Sequence, residues 1–151
     1  MLPKWHILIG FVVSYLLIYF FNFSLIAGFI IFLSSFLLDF DHYLLYVYKT
    51  GNFNLKKAYN LAITDGKKWG KLSFQQKKQY KLKIFLFHGI EFFIILIILS
   101  KFSIFFLWIL IGFLIHMAID ILNLIYGKYP VYAKISQIAV WQRNKSKKKL
   151  K

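Results

Sequence analysis

All four histidines of this chain, and four of its five carboxylates, fall inside or at the edge of stretches that otherwise read as membrane-spanning. They are His6, His42, His88 and His116, with Asp39, Asp41, Glu91 and Asp120; Asp65 alone lies in a polar region. An ionisable side chain in hydrocarbon costs roughly 2.5–3.5 kcal/mol on insertion scales, so it is rarely there without a task. Imidazole and carboxylate are the ligand types of a hard-to-borderline divalent metal. The chain has no cysteine, which excludes disulfides, thiolate metal sites and cysteine nucleophiles. The chemistry these residues point to is that of a metal site in a membrane.

Spacing supports that reading. Asp39 and His42 are i,i+3, His88 and Glu91 are i,i+3, and His116 and Asp120 are i,i+4, so each pair shares one helix face. Bundles that hold two metals use the same device on facing helices. Asp41 points elsewhere on its helix, where it bridges a second ion or orients a histidine as an outer partner. Each motif also has a plainer account. His6 after Trp5 suits an interfacial anchor, Asp41 a helix cap, Glu91 a salt bridge, and H-x-x-x-D a buried hydrogen-bonded pair. Ser34, Ser35 and Asn123 suit helix packing as well as a supporting role. Metal is favoured by the four segments together.

The elements that must position these groups are apolar blocks. Hydrophobic residues make up 60% of the 151, against about 45–50% in a soluble domain, and mean hydropathy is +0.62. The excess gathers into four spans, at about 5–21, 23–48, 84–99 and 102–126, which predicts an all-α, integral membrane four-helix bundle. The first is read as a retained helix, because no small-residue cleavage pattern follows it. Asn22 and Ser24 mark one tight turn, and Ser100, Lys101 and Ser103 another. A basic loop, 49–83, carries short interfacial helices at 54–61 and 74–83. Residues 1–127 thus form the membrane domain. Residues 128–151 form a basic tail, frayed and solvated, with a surface helix over Val131–Trp141.

Net charge is +15, with 20 basic residues against five acids. On a soluble protein this would suggest nucleic acid. Here 19 of the 20 are lysine and only Arg143 is arginine, the preferred reader of guanine edges and phosphate forks, which argues against it. The middle loop holds ten lysines and the tail eight basic residues, while the two tight turns hold only Lys101. The positive-inside rule then predicts that both termini and the loop face the cytoplasm of the cell membrane, against anionic lipid. Alternating spans convert sequence position to depth. All the candidate ligands except His6 fall roughly 5–20 Å inside the cytoplasmic boundary, and His6 lies nearer the interface.

A histidine near the N-terminus, then LLDFDH, FHGIE and HMAID, resembles a family of small membrane-bound metal-dependent hydrolases, over roughly residues 6–125. Family members carry H-R-G-x-T-H before the third helix. Here Lys83 stands in place of its first histidine and Phe87 in place of its threonine, with Glu91 offered as the replacement ligand. The resemblance implies a multi-span helical fold, divalent metal ligands and phosphoester hydrolysis. The donors suit zinc first, with manganese or magnesium if carboxylates dominate. Such a metal polarises a phosphoryl oxygen and lowers the pKa of a bound water. The expected ligands are His6, Asp39, Asp41, His42, His88, Glu91, His116 and Asp120, with Asp41 or Glu91 as general base. A phospholipid or lipid phosphate fits the depth, its head group drawn in by lysines such as Lys81 and Lys83. The alternative is a divalent-cation-binding membrane protein with a structural, sensing or transport role and no hydrolysis. Transport fits less well, because the outer halves of the spans carry no ionisable residue.

Overall fold

The structure, a computed structural model, describes residues 3–148; the last three residues of the basic C-terminal run, 149–151, lie outside the described residues. The elements are helical: α1 (Pro3–Phe21), α2 (Leu25–Leu37), α3 (Phe40–Thr50), α4 (Leu55–Gly70), α5 (Phe74–Lys77), α6 (Ile90–Ser100), α7 (Ile104–Tyr126), α8 (Tyr132–Ile135) and α9 (Gln137–Asn144). No strand occurs among the described residues; Tyr80 and Lys148 form an isolated bridge.

The predicted turns have specific chemistry. Asn22 takes φ 55, a left-handed turn that ends α1, and the Phe23 N–H reaches back 3.3 Å to the Leu17 carbonyl. The Ser24 hydroxyl then accepts the Ala27 N–H at 3.1 Å and opens α2. Ser103 caps α7 in the same way.

Lys4–Phe21, Leu25–Thr50 (taken through its tight turn) and Ile104–Tyr126 are each long and apolar enough to cross a membrane. Only 17% of the first window is buried. Its exposed Phe11, Tyr15, Tyr19 and Phe20 form apolar surface that water would penalise and hydrocarbon would not.

The helices pack in the order α1, α2, α7, α6. The contact between α2 and α7 is close enough to need glycine. A β-carbon on Gly112 would fall 2.6 Å from the Ile31 carbonyl oxygen and collide with the Ser34 hydroxyl. Small residues at a helix crossing serve this purpose in membranes. On the other flank of α7, Phe113, Leu110 and Met117 pack with Leu96 of α6 and Leu38.

Two predicted spans are interrupted. The second breaks after Leu37. Asp39 N–H bonds Phe36, Asp41 N–H bonds Leu38 and His42 N–H bonds Asp39, all i to i−3, so a tight turn is inserted at the chemistry-bearing residues. The third span, expected from residue 84, is helical only from Ile90. Gly89, at φ 114 and ψ 170, holds a conformation closed to other residues, and the helix starts beyond it. At 11 residues α6 is about 16 Å long, roughly half a hydrocarbon layer.

The non-helical approach to α6 is satisfied by the C-terminal segment. Gln137 Oε1 accepts the Phe85 N–H at 3.0 Å, and the Asn144 amide bonds both the Leu82 N–H and its carbonyl. Arg143 donates to the carbonyls of Tyr80 and Lys78. Residues 128–148 are therefore not a frayed, solvated tail: Lys134, Gln137 and Val140 are buried against the rest of the chain. Hydropathy could not reveal this, because the bonds that hold the segment are polar and non-local. At the same end, Lys77 donates to the carbonyls of Gly127 and Lys128 at the C-terminus of α7, and burial pushes its ammonium below the usual lysine range. In the loop, α4 runs past Gly66 to Gly70, longer than the predicted 54–61 helix, and α5 begins with a Ser73–Gln76 capping box.

These contacts predict that Gly112→Ala lowers stability by about 1–3 kcal/mol through overpacking. Gly66→Ala, where a β-carbon meets nothing within 4 Å, should be neutral or stabilising by up to about 1 kcal/mol. Unfolding in detergent measures both. Equal effects would mean that the α2–α7 approach is wrong.

Candidate metal centre

Four separate pieces of backbone deliver the cluster. The first turns of α1 bring His6. The tight turn between α2 and α3 brings Asp39, Asp41 and His42. The segment before Gly89 brings His88, and the second half of α7 brings His116 and Asp120. His6, His88 and His116 are fully buried, and Asp41 and Asp120 almost so.

Two outer bonds decide what the histidines present. His116 Nδ1 lies 2.9 Å from the Ser35 carbonyl oxygen, which can only accept, so the proton is on Nδ1. His88 Nδ1 lies 2.8 Å from Asp41 Oδ2 and donates to it. Both Nε2 atoms are then left as lone pairs. They face each other at 3.0 Å, and each is 3.3 Å from Asp120 Oδ2. A hydrogen bond between them would need one ring to carry protons on both nitrogens. A cation resolves the triangle without that. Tetrahedral bonds of about 2.0–2.1 Å separate ligand atoms by about 3.3 Å, close to the spacing seen.

The neighbouring donors extend the set. His6 Nε2 lies 3.6 Å from Asp120 Oδ1 and 3.8 Å from Asp39 Oδ2, with its ring stacked on His116. His42 Nε2 lies 3.5 Å from Asp39 Oδ1. Three overlapping groups could each hold a metal ion: His6, Asp39 and His116; Asp39, His42 and His88; His88, His116 and Asp120. Buried side-chain atoms without a hydrogen-bond partner gather here, at His6, Asp39, Asp41, His42 and Asp120. Such atoms are normally few and scattered, so their convergence fits a donor set for an ion.

Of the eight residues singled out in the sequence, six supply the donor groups. Asp41 is not one of the six. It holds His88 by Nδ1 and also accepts the Phe87 N–H at 3.2 Å, which is the outer-partner role. Glu91 is not brought to the cluster. Its carboxylate accepts from the Ser136 hydroxyl at 2.6 Å and from the N–H groups of Gln137 and Ile138 at 3.1 and 3.0 Å. It thereby satisfies the open N-terminus of α9, where a helix favours negative charge. Of the supporting residues considered, Ser35 acts through its carbonyl, while its hydroxyl bonds Phe32.

One residue in the centre carried no sequence signal. Lys134 of α8 is buried, with Nζ 2.9 Å from Asp120 Oδ2 and 4.8 Å from the centre of the Phe85 ring. It sits in a run of basic residues that reads as a solvated tail. A cleft lined by His42, Tyr46, Lys49, Asp65, Lys83 and Phe85 lies on the loop side and shares His42 with the donor groups. Lys83 pairs there with Asp65 at 2.8 Å.

The two outlying carboxylates should behave differently. Asp41→Ala should weaken metal binding about 10–100-fold by releasing His88, although Asp41 is not in a donor group. Glu91→Gln should leave metal affinity unchanged and loosen α9. Competition with a chromogenic chelator, alongside thermal unfolding, checks both; equal metal loss in the two variants would contradict the arrangement. The chain matches no protein-family profile, no curated protein and no solved structure, so the metal reading rests on geometry alone.

Proposed function

We propose that this chain is a membrane-embedded, metal-dependent hydrolase of phosphoesters, such as a phospholipid or lipid phosphate, reached from the cytoplasmic side. The observation that carries the metal is the triangle of His88 Nε2, His116 Nε2 and Asp120 Oδ2, with both histidine protons committed elsewhere. The all-nitrogen-and-oxygen donor set suits zinc, with manganese or magnesium as alternatives. Bound there, a divalent ion supplies Lewis acidity towards a phosphoryl oxygen and makes a water more acidic.

The protein's part is positioning. Asp41 and the Ser35 carbonyl fix which imidazole nitrogen faces inward. Asp39 is the most exposed of the three clustered acids, at 17% against 1% for Asp41 and 4% for Asp120. That access makes Asp39 the better acceptor for a proton from water, since Glu91 is engaged at α9 and Asp41 at His88. His42, at 37% exposure, forms the boundary between the cleft and the cluster.

An amphiphilic substrate is favoured by a second feature. A groove of about 330 Å³, lined by Ile30, Leu33, Leu37, Leu38, Phe87 and Phe92 among others, runs between α2 and α6 over α7. Leu38 and Phe87 are the chain neighbours of Asp39 and His88. An apolar groove beside a charged cluster suits a molecule with an acyl chain and an anionic head. Membership of the family of small membrane-bound metal-dependent hydrolases is part of this proposal. So is the four-helix arrangement in the cell membrane, with α6 and its non-helical lead-in as the remaining crossing and both termini cytoplasmic. Non-helical backbone is tolerated at membrane depth where protein covers it, as the C-terminal segment does here.

Purified protein should hydrolyse members of a panel of phosphomonoesters, phosphodiesters and lipid phosphates only when loaded with a divalent metal. Asp39→Asn should reduce turnover by about 10²–10⁴-fold while keeping part of the metal. No hydrolysis by metal-loaded protein across the panel would leave a structural or sensing metal protein instead. Reporter fusions after Leu61 and at the C-terminus should mark the cytoplasm, and those at Asn22 and Lys101 the opposite side. A C-terminus found outside would place the cleft in the other compartment.

A further inference from the structure

We propose that Lys134 is the anion-binding group of the metal centre, taking an oxygen of the substrate's anionic group. This rests on the phosphoester reading above, in which that oxygen belongs to a phosphoryl group. The lysine is 9% exposed, and its ammonium lies 2.9 Å from Asp120 Oδ2. That contact is an ion pair without hydrogen-bond geometry: Asp120 Oδ2 remains among the buried oxygens that have no hydrogen-bond partner. An ammonium carries three N–H donors. Among the described contacts its other neighbour is the face of Phe85, which accepts charge but directs no N–H. Lys134 Nζ is not one of the fully buried unpartnered atoms, so its remaining N–H donors are open to an oxygen that enters beside Asp120.

The oxygen that faces Lys134 is the same one that faces His88 and His116. A divalent ion held by those three groups would therefore share Asp120 with the ammonium, and the carboxylates of Asp39, Asp41 and Asp120 would together balance both cations. The segment around Lys134 is pinned on its C-terminal side: Glu91 holds Ser136, Gln137 and Ile138, and Gln137 holds Phe85, which keeps the ammonium in place beside that oxygen. An anion that reaches the centre would meet the ion and the lysine together. A metal and a lysine converging on one oxygenated anion form the clamp that phosphoryl chemistry uses. A cleft borders the same aromatic ring. Phe85 lines the cleft, with the His42 ring stacked on it at 4.0 Å and the Lys134 ammonium over the same ring system. Lys49 and Lys83 lie along the cleft wall.

The test uses the full chain, zinc-loaded in detergent, titrated calorimetrically with inorganic phosphate. Lys134→Met keeps the stem and removes the charge; it should keep zinc and bind phosphate at least about tenfold more weakly, the loss expected for a hydrogen bond to a charged group. Lys134→Arg should stay close to wild type. Where the Met variant fails to load zinc, Lys134→Gln, which keeps a polar head beside Asp120, gives the reading instead. Unchanged phosphate affinity in a zinc-loaded neutral variant overturns the proposal. So does wild-type protein that binds no phosphate, or loss of zinc from both neutral variants, which would mark the lysine as a structural counter-charge. Phosphate binding that depends on Lys134 without any phosphoester hydrolysis would retain this inference and remove the hydrolase reading. Hydrolysis with phosphate binding indifferent to Lys134 would do the reverse.

Discussion

Two imidazole nitrogens with lone pairs aimed at each other from 3.0 Å, and a carboxylate oxygen 3.3 Å from both, cannot rest together without positive charge. Much of the surrounding structure serves that arrangement. Asp41 and the Ser35 carbonyl keep the ring protons on the outer side. Ser35 can reach His116 because α2 lies against α7, and Gly112 permits that approach. The tight turn between α2 and α3 presents Asp39 and His42 to the cluster while Asp41 turns to His88.

The second organising constraint is backbone satisfaction around the α6 lead-in. Residues 84–89 leave helical geometry inside an apolar stretch, so their polar groups need partners from elsewhere. The C-terminal segment supplies them through Gln137 and Asn144, and Asp41 supplies another at Phe87. The same packing carries Lys134 into the centre and brings the N-terminus of α9 to Glu91, which takes the Gln137 and Ile138 N–H groups that the Ser136 cap leaves over. One displacement of chain thus explains both the carboxylate absent from the cluster and the lysine added to it. It also shortens α6, which leaves the apolar groove between α2 and α6.

Sequence reading was strongest where a short-range rule applies. The apolar blocks, the turns at Asn22–Ser24 and Ser100–Ser103, and the absence of thiol chemistry follow from composition, hydropathy and cap residues, each expressed within a few positions. The convergence of Asp39, His42, His88, His116 and Asp120 was legible because alternating spans turn position into depth, and ionisable groups in apolar segments stand out by their cost; the same argument set His6 nearer the interface, whereas the packing of α1 buries it fully against His116. Tertiary structure decided the rest. Asp41 became a positioning residue because the α2–α3 turn carries it to His88, and i,i+3 spacing cannot anticipate a turn that changes the helix period. Glu91 shares a predicted helix face with His88, yet Gly89 places His88 outside the helix and Glu91 inside it. Lys134 is one lysine among 19, and only packing across more than 40 residues of sequence separates it from the solvated ones. Local rules identify which residues are expensive to bury; the long-range hydrogen bonds determine which of them meet.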